Sequence, residues 1–171
     1  MSAESVRDIL VPIANFPHVA VDASIRDAFA VLHEKHRTAG WRIRHLLVFD
    51  ARRTLVGLLS IRDLLRSLMP EYLRATSARH VAEPLPDDAS LSILWQDTFA
   101  AQCRLAGETR VENYMSPVLN TVKADDPLTR AAYLMVMHGI DMLPVLEGDR
   151  VIGVVRIVDV FNQAAAEVLH D

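Results

Sequence analysis

Short unbroken apolar runs alternate along this chain with stretches of helical period. Ser24 sits where an N-cap is expected, and Ile25, Ala28, Phe29 and Leu32 then recur at helical spacing, predicting a helix from Ile25 to His36. His45 to Phe49 is continuously apolar apart from its first residue, as in a strand covered on both faces. A turn at Asp50–Arg53 and a return strand from Leu55 to Leu59 complete a hairpin. Ile61 to Leu68 reads as a helix that stops at Met69-Pro70, because proline lacks the amide that would continue it. Upstream, Ser5 to Pro12 reads as a helical turn capped by Ser5 and ended by Pro12, and Phe16 to Asp22 as a short extended segment. Arg37 to Arg42, with Gly40, is expected to be a loop.

The same itinerary recurs. Val111 to Pro117 repeats the opening turn, and Asn120 to Ala124 the extended segment. Pro127 suits the first turn of a helix carrying Leu128, Ala131, Ala132 and Met135 on one face and ending at Gly139. Met142 to Leu146, the turn Glu147–Asp149 and Val151 to Val155 predict a second hairpin, and Ile157 to Val168 a closing helix. Gly57 recurs as Gly153, 96 positions later, and Asp63 as Asp159. Such internal similarity marks two copies of one supersecondary unit. The copies part at one chemically important place, where Ser60 is answered by Arg156.

Between the copies, Glu71 to Arg110 is too long for a simple loop. Glu83 to Asp88 is a polar, proline-bearing break, after which Ser90 is placed to cap a helix with Leu91, Leu94, Trp95, Thr98, Phe99 and Cys103 on one face. A stripe of this kind suits a core or dimer contact better than a ligand box.

Composition narrows the function classes. At 171 residues and 51% apolar, the chain can bury one core or two small ones. A net charge of −4 offers no general footprint for nucleic acid, although Arg42/Arg44, Arg52/Arg53 and Arg62/Arg66 are local basic pairs. The single Cys103 excludes an internal disulfide and suits a reducing compartment. No apolar run reaches the ~18–20 residues of a membrane helix, and Glu4, Arg7 and Asp8 stand where a signal peptide needs its apolar centre. The expectation is a cytoplasmic protein with no membrane contact.

The chemistry concentrates at the strand-to-helix junctions. Ser60-x-x-Asp63 is a capping box as it stands, with Ser at the N-cap and an acid at N3. A helix N-terminus is equally an anion site, and a carboxylate there can accept hydrogen bonds from both hydroxyls of a ribose. Arg156 cannot cap in this way, so capping alone gives Asp159 no role beyond favouring the helix dipole. His33 and His36 lie three apart on one predicted helix, but nothing is spaced to complete a metal site. Ser60 has no nucleophile elbow and no His–acid pair to activate it, so no enzyme activity is expected.

Each copy resembles a CBS motif. The marks are Gly139-Ile140-Asp141-Met142-Leu143-Pro144-Val145, then Val151-Ile152-Gly153-Val154-Val155 and Asp159, with Met115-Ser116-Pro117 ahead of Asn120-Thr121-Val122. The first copy departs from the pattern in having Leu47 for proline and a longer helix–strand loop. The resemblance implies an α/β (α+β) fold with CBS motifs at residues 4–68 and 109–168 in pseudo-twofold arrangement, joined by a helical linker at 69–108. It further implies clefts between the motifs that take AMP, ADP, ATP or S-adenosylmethionine as regulatory ligands, with no required cofactor, and a homodimer that reports ligand state to a partner protein. By family position, Asp63 takes the ribose and Ser60 the ribose or phosphate. Val19, Val122, His45 and Met142 line adenine slots. His18 stacks or meets phosphate, and Arg44, Arg62 and Arg66 are candidates for phosphate charge. In the second copy either Asp159 meets a ribose while Arg156 meets phosphate, or the long Arg156 side chain fills the cleft and closes it. The competing expectation is a ligand-free scaffold, its clefts filled by side chains and the Leu91/Trp95/Phe99 stripe forming the contact surface.

Overall fold

The computed structural model describes residues 5–39, 43–77, 93 and 95–169. It is a mixed α+β chain that divides into two compact units. The first unit is residues 18–116, and the second joins residues 1–17 to residues 117–171.

The first unit holds strands β2 (His18–Ala20), β3 (His45–Phe49) and β4 (Leu55–Ser60) in the order β2-β3-β4. β2 runs parallel to β3, so helix α1 (Ile25–Ala39) must make the crossover, and the tight turn after Phe49 makes β4 antiparallel. Asp50 Oδ1 braces that turn by accepting from the amides of Arg52 and Thr54, both at 2.8 Å. Ile25, Ala28 and Leu32, at positions i, i+3 and i+7, form the buried stripe of α1. Each large aliphatic side chain buried in this way contributes about 1.5–3 kcal/mol, so truncating Leu32 to Ala would loosen α1 from the sheet. Ser24 caps α1 as expected, its Oγ accepting from Asp27 N at 3.1 Å. The helix runs on to Ala39, through residues expected to be loop, while Gly40 and Arg42 lie outside the described residues. Helices α2 (Ile61–Ser67), α3 (Glu71–Ser77) and α4 (Phe99–Gly107) complete the unit.

The second unit contains β1 (Val11–Pro12), β5 (Val122–Lys123), β6 (Met142–Glu147) and β7 (Arg150–Arg156), ordered β1-β7-β6-β5. Helix α5 (Leu128–His138) crosses from β5 to β6, and α6 (Ile157–Val168) follows β7. Gly139, left-handed at φ 61°, ends α5 at the expected position. Val6, Val122, Ala131, Met135, Leu143, Val145, Val155 and Val160 share one core. The hairpins of the two units carry the same irregularity, after Val48 in one and after Val145 in the other.

The compact units are not the sequence repeats. Each repeat is closed by the opening segment of the other. A 3-10 turn at Val6–Asp8 docks on the second repeat, where Val6 N donates to Asp126 O (3.0 Å) and Arg7 N to Ala124 O (2.8 Å), and β1 adds an antiparallel strand to β7. The matching turn at Val111–Asn113 docks on the first repeat through Val111 N to Ala23 O (2.9 Å) and a pair of bonds between Leu58 and Ser116. Close approach of these segments explains the repeated glycine. A Cβ on Gly153 would collide with the Val11 carbonyl, and one on Gly57 with Met115 Sδ. Pro12 therefore does not end the first helical turn, which stops at Asp8; it belongs to β1, where its missing amide costs nothing on an edge strand.

The linker helix also differs from its expected form. Ser90, Leu91 and Leu94 lie outside the described residues, and a turn at Asp97-Thr98 separates Trp95 from α4. The buried residues of α4 are Ala106 and Gly107, so small side chains, not the aromatic stripe, let it pack close to α1. Phe99 is about half exposed, at 46%, and its ring meets Trp95 edge-on at 5.4 Å. Cys103 is half-buried and free. Among the described residues no helix is long and apolar enough to cross a membrane.

Candidate functional site

In the first unit, topology gathers the predicted residues toward one end of the sheet. His45 opens β3 and pairs in register with Ser60, the last residue of β4. Ile61 N then donates to Arg44 O at 2.9 Å, extending the ladder into the first turn of α2. β2 begins nearby, with His18 in register with Leu47 and Val19 with Val48. Val19 is buried, so its side chain belongs to the core, whereas His18 is exposed and meets Phe49 edge-on at 5.8 Å. His45 is half-buried, and Arg44 and Arg62 are exposed.

Asp63 is the centre of this end of the unit. It is one of two buried polar residues among those described, at 7% exposure. Its Oδ2 accepts from Ser60 N (2.9 Å) and Ser60 Oγ (2.7 Å), while Asp63 N donates to Ser60 Oγ (3.1 Å). Its Oδ1 accepts from Arg66 Nη2 at 2.8 Å. The capping box is thus fully formed, and Arg66 adds an ion pair that spacing had not suggested. Three bonds are placed on a group with about four acceptor sites. A ligand hydroxyl can use the remainder, and a second becomes available if the half-exposed Arg66 swings away.

The chain supplies its own control for the bland reading. Ser24 and Asp27 make the same three bonds at the start of α1, at 3.0, 2.7 and 3.1 Å, and Ser5 and Asp8 make two of them at the first 3-10 turn. Bonding from the Ser24 hydroxyl, then from its amide, holds the Asp27 carboxyl below the usual carboxylate range. The box is therefore a recurrent device of this fold, and Ser24-x-x-Asp27 was a visible warning in the sequence. What sets Asp63 apart is its burial.

The second unit repeats the frame with different chemistry. Met142 and Val122 are buried, Met142 is in register with Arg156, and Ile157 N donates to Asp141 O at 2.8 Å. Arg156 occupies the N-cap position without a side-chain cap bond. Instead its guanidinium forks onto Asp159, Nε to Oδ2 and Nη2 to Oδ1, both at 2.7 Å. Asp159 thus has a structural role beyond the helix-dipole one expected for it. A bidentate i,i+3 ion pair stands where the first unit has a capping box.

His33 and His36 share one side of α1, but His36 Nε2 lies 2.6 Å from Ile43 O, and no group of three metal-binding side chains occurs among the described residues.

The CBS domain family profile matches residues 6–70 and 111–165. No curated protein matches the chain significantly. Among solved structures, CBSX2 in complex with AMP is 27% identical, with a TM-score of 0.64 over 98% of this chain and 100% of that one. CBSX2 from Arabidopsis thaliana is 23% identical, with a TM-score of 0.63 over 99% and 100%. The CBS-domain protein ATU1752 from Agrobacterium tumefaciens is 19% identical, with a TM-score of 0.64 over 95% of each chain. With two matched regions, the repeated register and neighbours of the same build, this chain belongs to the CBS domain family as a tandem pair.

Proposed function

We propose that the chain is a regulatory module that binds an adenosine-containing ligand (AMP, ADP, ATP or S-adenosylmethionine) at the first unit and signals its ligand state to a partner protein, working as a homodimer without catalysis. The observation that carries the reading is the buried Asp63 carboxylate, held at a helix N-terminus with acceptor capacity to spare. In this proposal Asp63 accepts from the ribose hydroxyls, with Ser60 beside it. His18 and His45 flank the nucleoside, Val19 backs it from the core, and Arg62 faces its phosphate. An AMP complex of a 27% identical protein, matched over 98% of this chain and 100% of that one, supports the ligand class.

The second unit is proposed to be closed. Val122, Met142, Arg156 and Asp159 occupy the corresponding places, but there the acid is gripped at both oxygens by an Arg156 only 19% exposed, whereas Asp63 meets its Arg66 at one oxygen and that Arg66 is 46% exposed. Opening that fork costs about 2–4 kcal/mol on the scale of hydrogen bonds to charged groups, roughly a 30- to 700-fold loss of affinity. Regulation requires only that the ligand bind one conformation better than another, and the shift cannot exceed that difference. Calorimetry with each of the four ligands on protein stripped of co-purified nucleotide tests the reading. Silence with all four at millimolar concentration would end the nucleotide assignment and leave the ligand-free scaffold.

A further inference from the structure

The helix after each hairpin begins with an acid held by one arginine, and the two arginines come from opposite sides. In the second unit Arg156 lies three residues before Asp159; in the first, Arg66 lies three residues after Asp63. The repeat register of 96 carries Arg66 to the exposed Asn162, as it carries Ser60 to Arg156. Capping does not ask for an arginine at this place. Ser-x-x-Asp pairs open helical turns at Ser5, Ser24 and Ser60, and the residue three beyond the acid is Val11, Ala30 and Arg66 in turn. The cation stands at that position beside the buried acid of the candidate site.

The acceptor sites of the carboxylate show what Arg66 withholds. Asp63 Oδ2 accepts from the Ser60 amide and hydroxyl, which fills its two sites. Oδ1 accepts from Arg66 Nη2 at 2.8 Å, and one site is left. A ribose offers two adjacent hydroxyls, of which the first fits that site and the second needs the one that Arg66 holds.

We propose that Arg66 competes with ribose for Asp63 Oδ1, and that the site thereby selects adenosine 5′-phosphates over adenosine itself. This rests on the ribose assignment of the proposed function and adds what sets its preference. An uncharged nucleoside displaces the guanidinium into water and gives it nothing in return. A 5′-phosphate lies one sugar ring from the hydroxyls, within the sweep of the arginine's methylene stem. It offers the released guanidinium a new anion of matching geometry. The contact is built to be exchanged: Arg66 is 46% exposed and meets one oxygen, whereas Arg156 is 19% exposed and meets both.

The test is calorimetry on the ligand-stripped full chain and on Arg66→Ala, with AMP, adenosine and 2′,3′-dideoxyadenosine. The parent should bind AMP more tightly than adenosine. In R66A, adenosine should tighten about 2- to 5-fold, the range of a half-exposed ion pair, while AMP gains nothing. Dideoxyadenosine, which has no hydroxyl for Oδ1, should be unchanged. Arg66→Lys, which keeps the charge, should restore part of the AMP preference. Salt gives a reading on the parent alone that does not depend on how a variant folds. Adenosine carries no charge, so screening of the Asp63–Arg66 pair between about 0.01 and 1 M salt should tighten it beyond any change seen with dideoxyadenosine. Adenosine affinity that is unchanged or weaker in R66A, or a gain shared by dideoxyadenosine, overturns the competition while leaving nucleotide binding in place. An AMP gain equal to that of adenosine overturns the phosphate preference. Absence of binding with all three ligands, in parent and variant alike, overturns the proposed function and this inference with it.

Discussion

Replacing Asp63 by Ala separates a ligand contact from a helix cap, provided Asp27→Ala is made beside it. Both substitutions remove an acid from a Ser-x-x-Asp box with nearly identical bond lengths. At Asp63 the lost box is worth ~1 kcal/mol, and the half-exposed Arg66 pair adds less than ~1 kcal/mol. Thermal unfolding should therefore fall by roughly 2–8 °C for a chain of this size. An unchanged midpoint, which spacing alone would allow for a pure ligand contact, is not expected, because the structure shows both roles in one side chain. If Asp63 also accepts from ribose hydroxyls, the same change removes about 1.5–3 kcal/mol of binding, or about 10- to 100-fold in affinity. Asp27→Ala should lower the midpoint and leave affinity untouched. Calorimetry and thermal unfolding on the same preparations supply both readings. Parental affinity in Asp63→Ala would refute the ribose assignment and leave Asp63 a cap. Equal loss of affinity in both variants would show that global stability, not contact, was being read.

Other outcomes follow from the same geometry. Arg156→Ser rebuilds the Ser-x-x-Asp box in the second unit and should raise the titrated stoichiometry from one nucleotide per chain to two; persistence at one means that more than the fork closes that site. Gly153→Ala drives a Cβ into the Val11 backbone, whereas Gly57→Ala meets chiefly the movable Met115 side chain. Thermal unfolding should show the former as the more damaging, by about 1–3 kcal/mol in the range of overpacking. The depressed Asp27 carboxyl gives α1 a pH dependence of definite sign. Its folded value lies below the ordinary 3.8, so its contribution is present above that ordinary value and lost as pH falls through the folded one. A carbon-detected NMR titration of Asp27 should find that lowered midpoint, and Ser24→Ala should bring it back up.

Much of this fold was legible in the chain because periodicity reports local burial. The Ile157–Val168 helix, the two hairpins and the Gly139 stop follow from spacing and turn chemistry that act within a few residues. The exchanged opening segments were not legible, since pairing Val11 with Val154 is a long-range choice that alternation within either segment does not encode. Their one trace was the repeated glycine, whose cause appears only when the crossing backbone is in place. At the site, the position of Asp63 was readable from the repeat, but its burial and its tie to Arg66 were not. Arg156 was recognised as the odd residue, yet sequence alone left open whether it would meet a ligand or a side chain. Its bidentate grip on Asp159 is a finding of the structure.

The central claim is that one adenosine-containing ligand binds each chain through the Ser60–Asp63 end of the first unit. The most direct measurement is a calorimetric titration of ligand-stripped protein with AMP, followed by ADP, ATP and S-adenosylmethionine. The account predicts saturable binding of at least one of them at one per chain, lost in Asp63→Ala and kept in Asp159→Ala. Binding that survives Asp63→Ala but disappears in Asp159→Ala would contradict it.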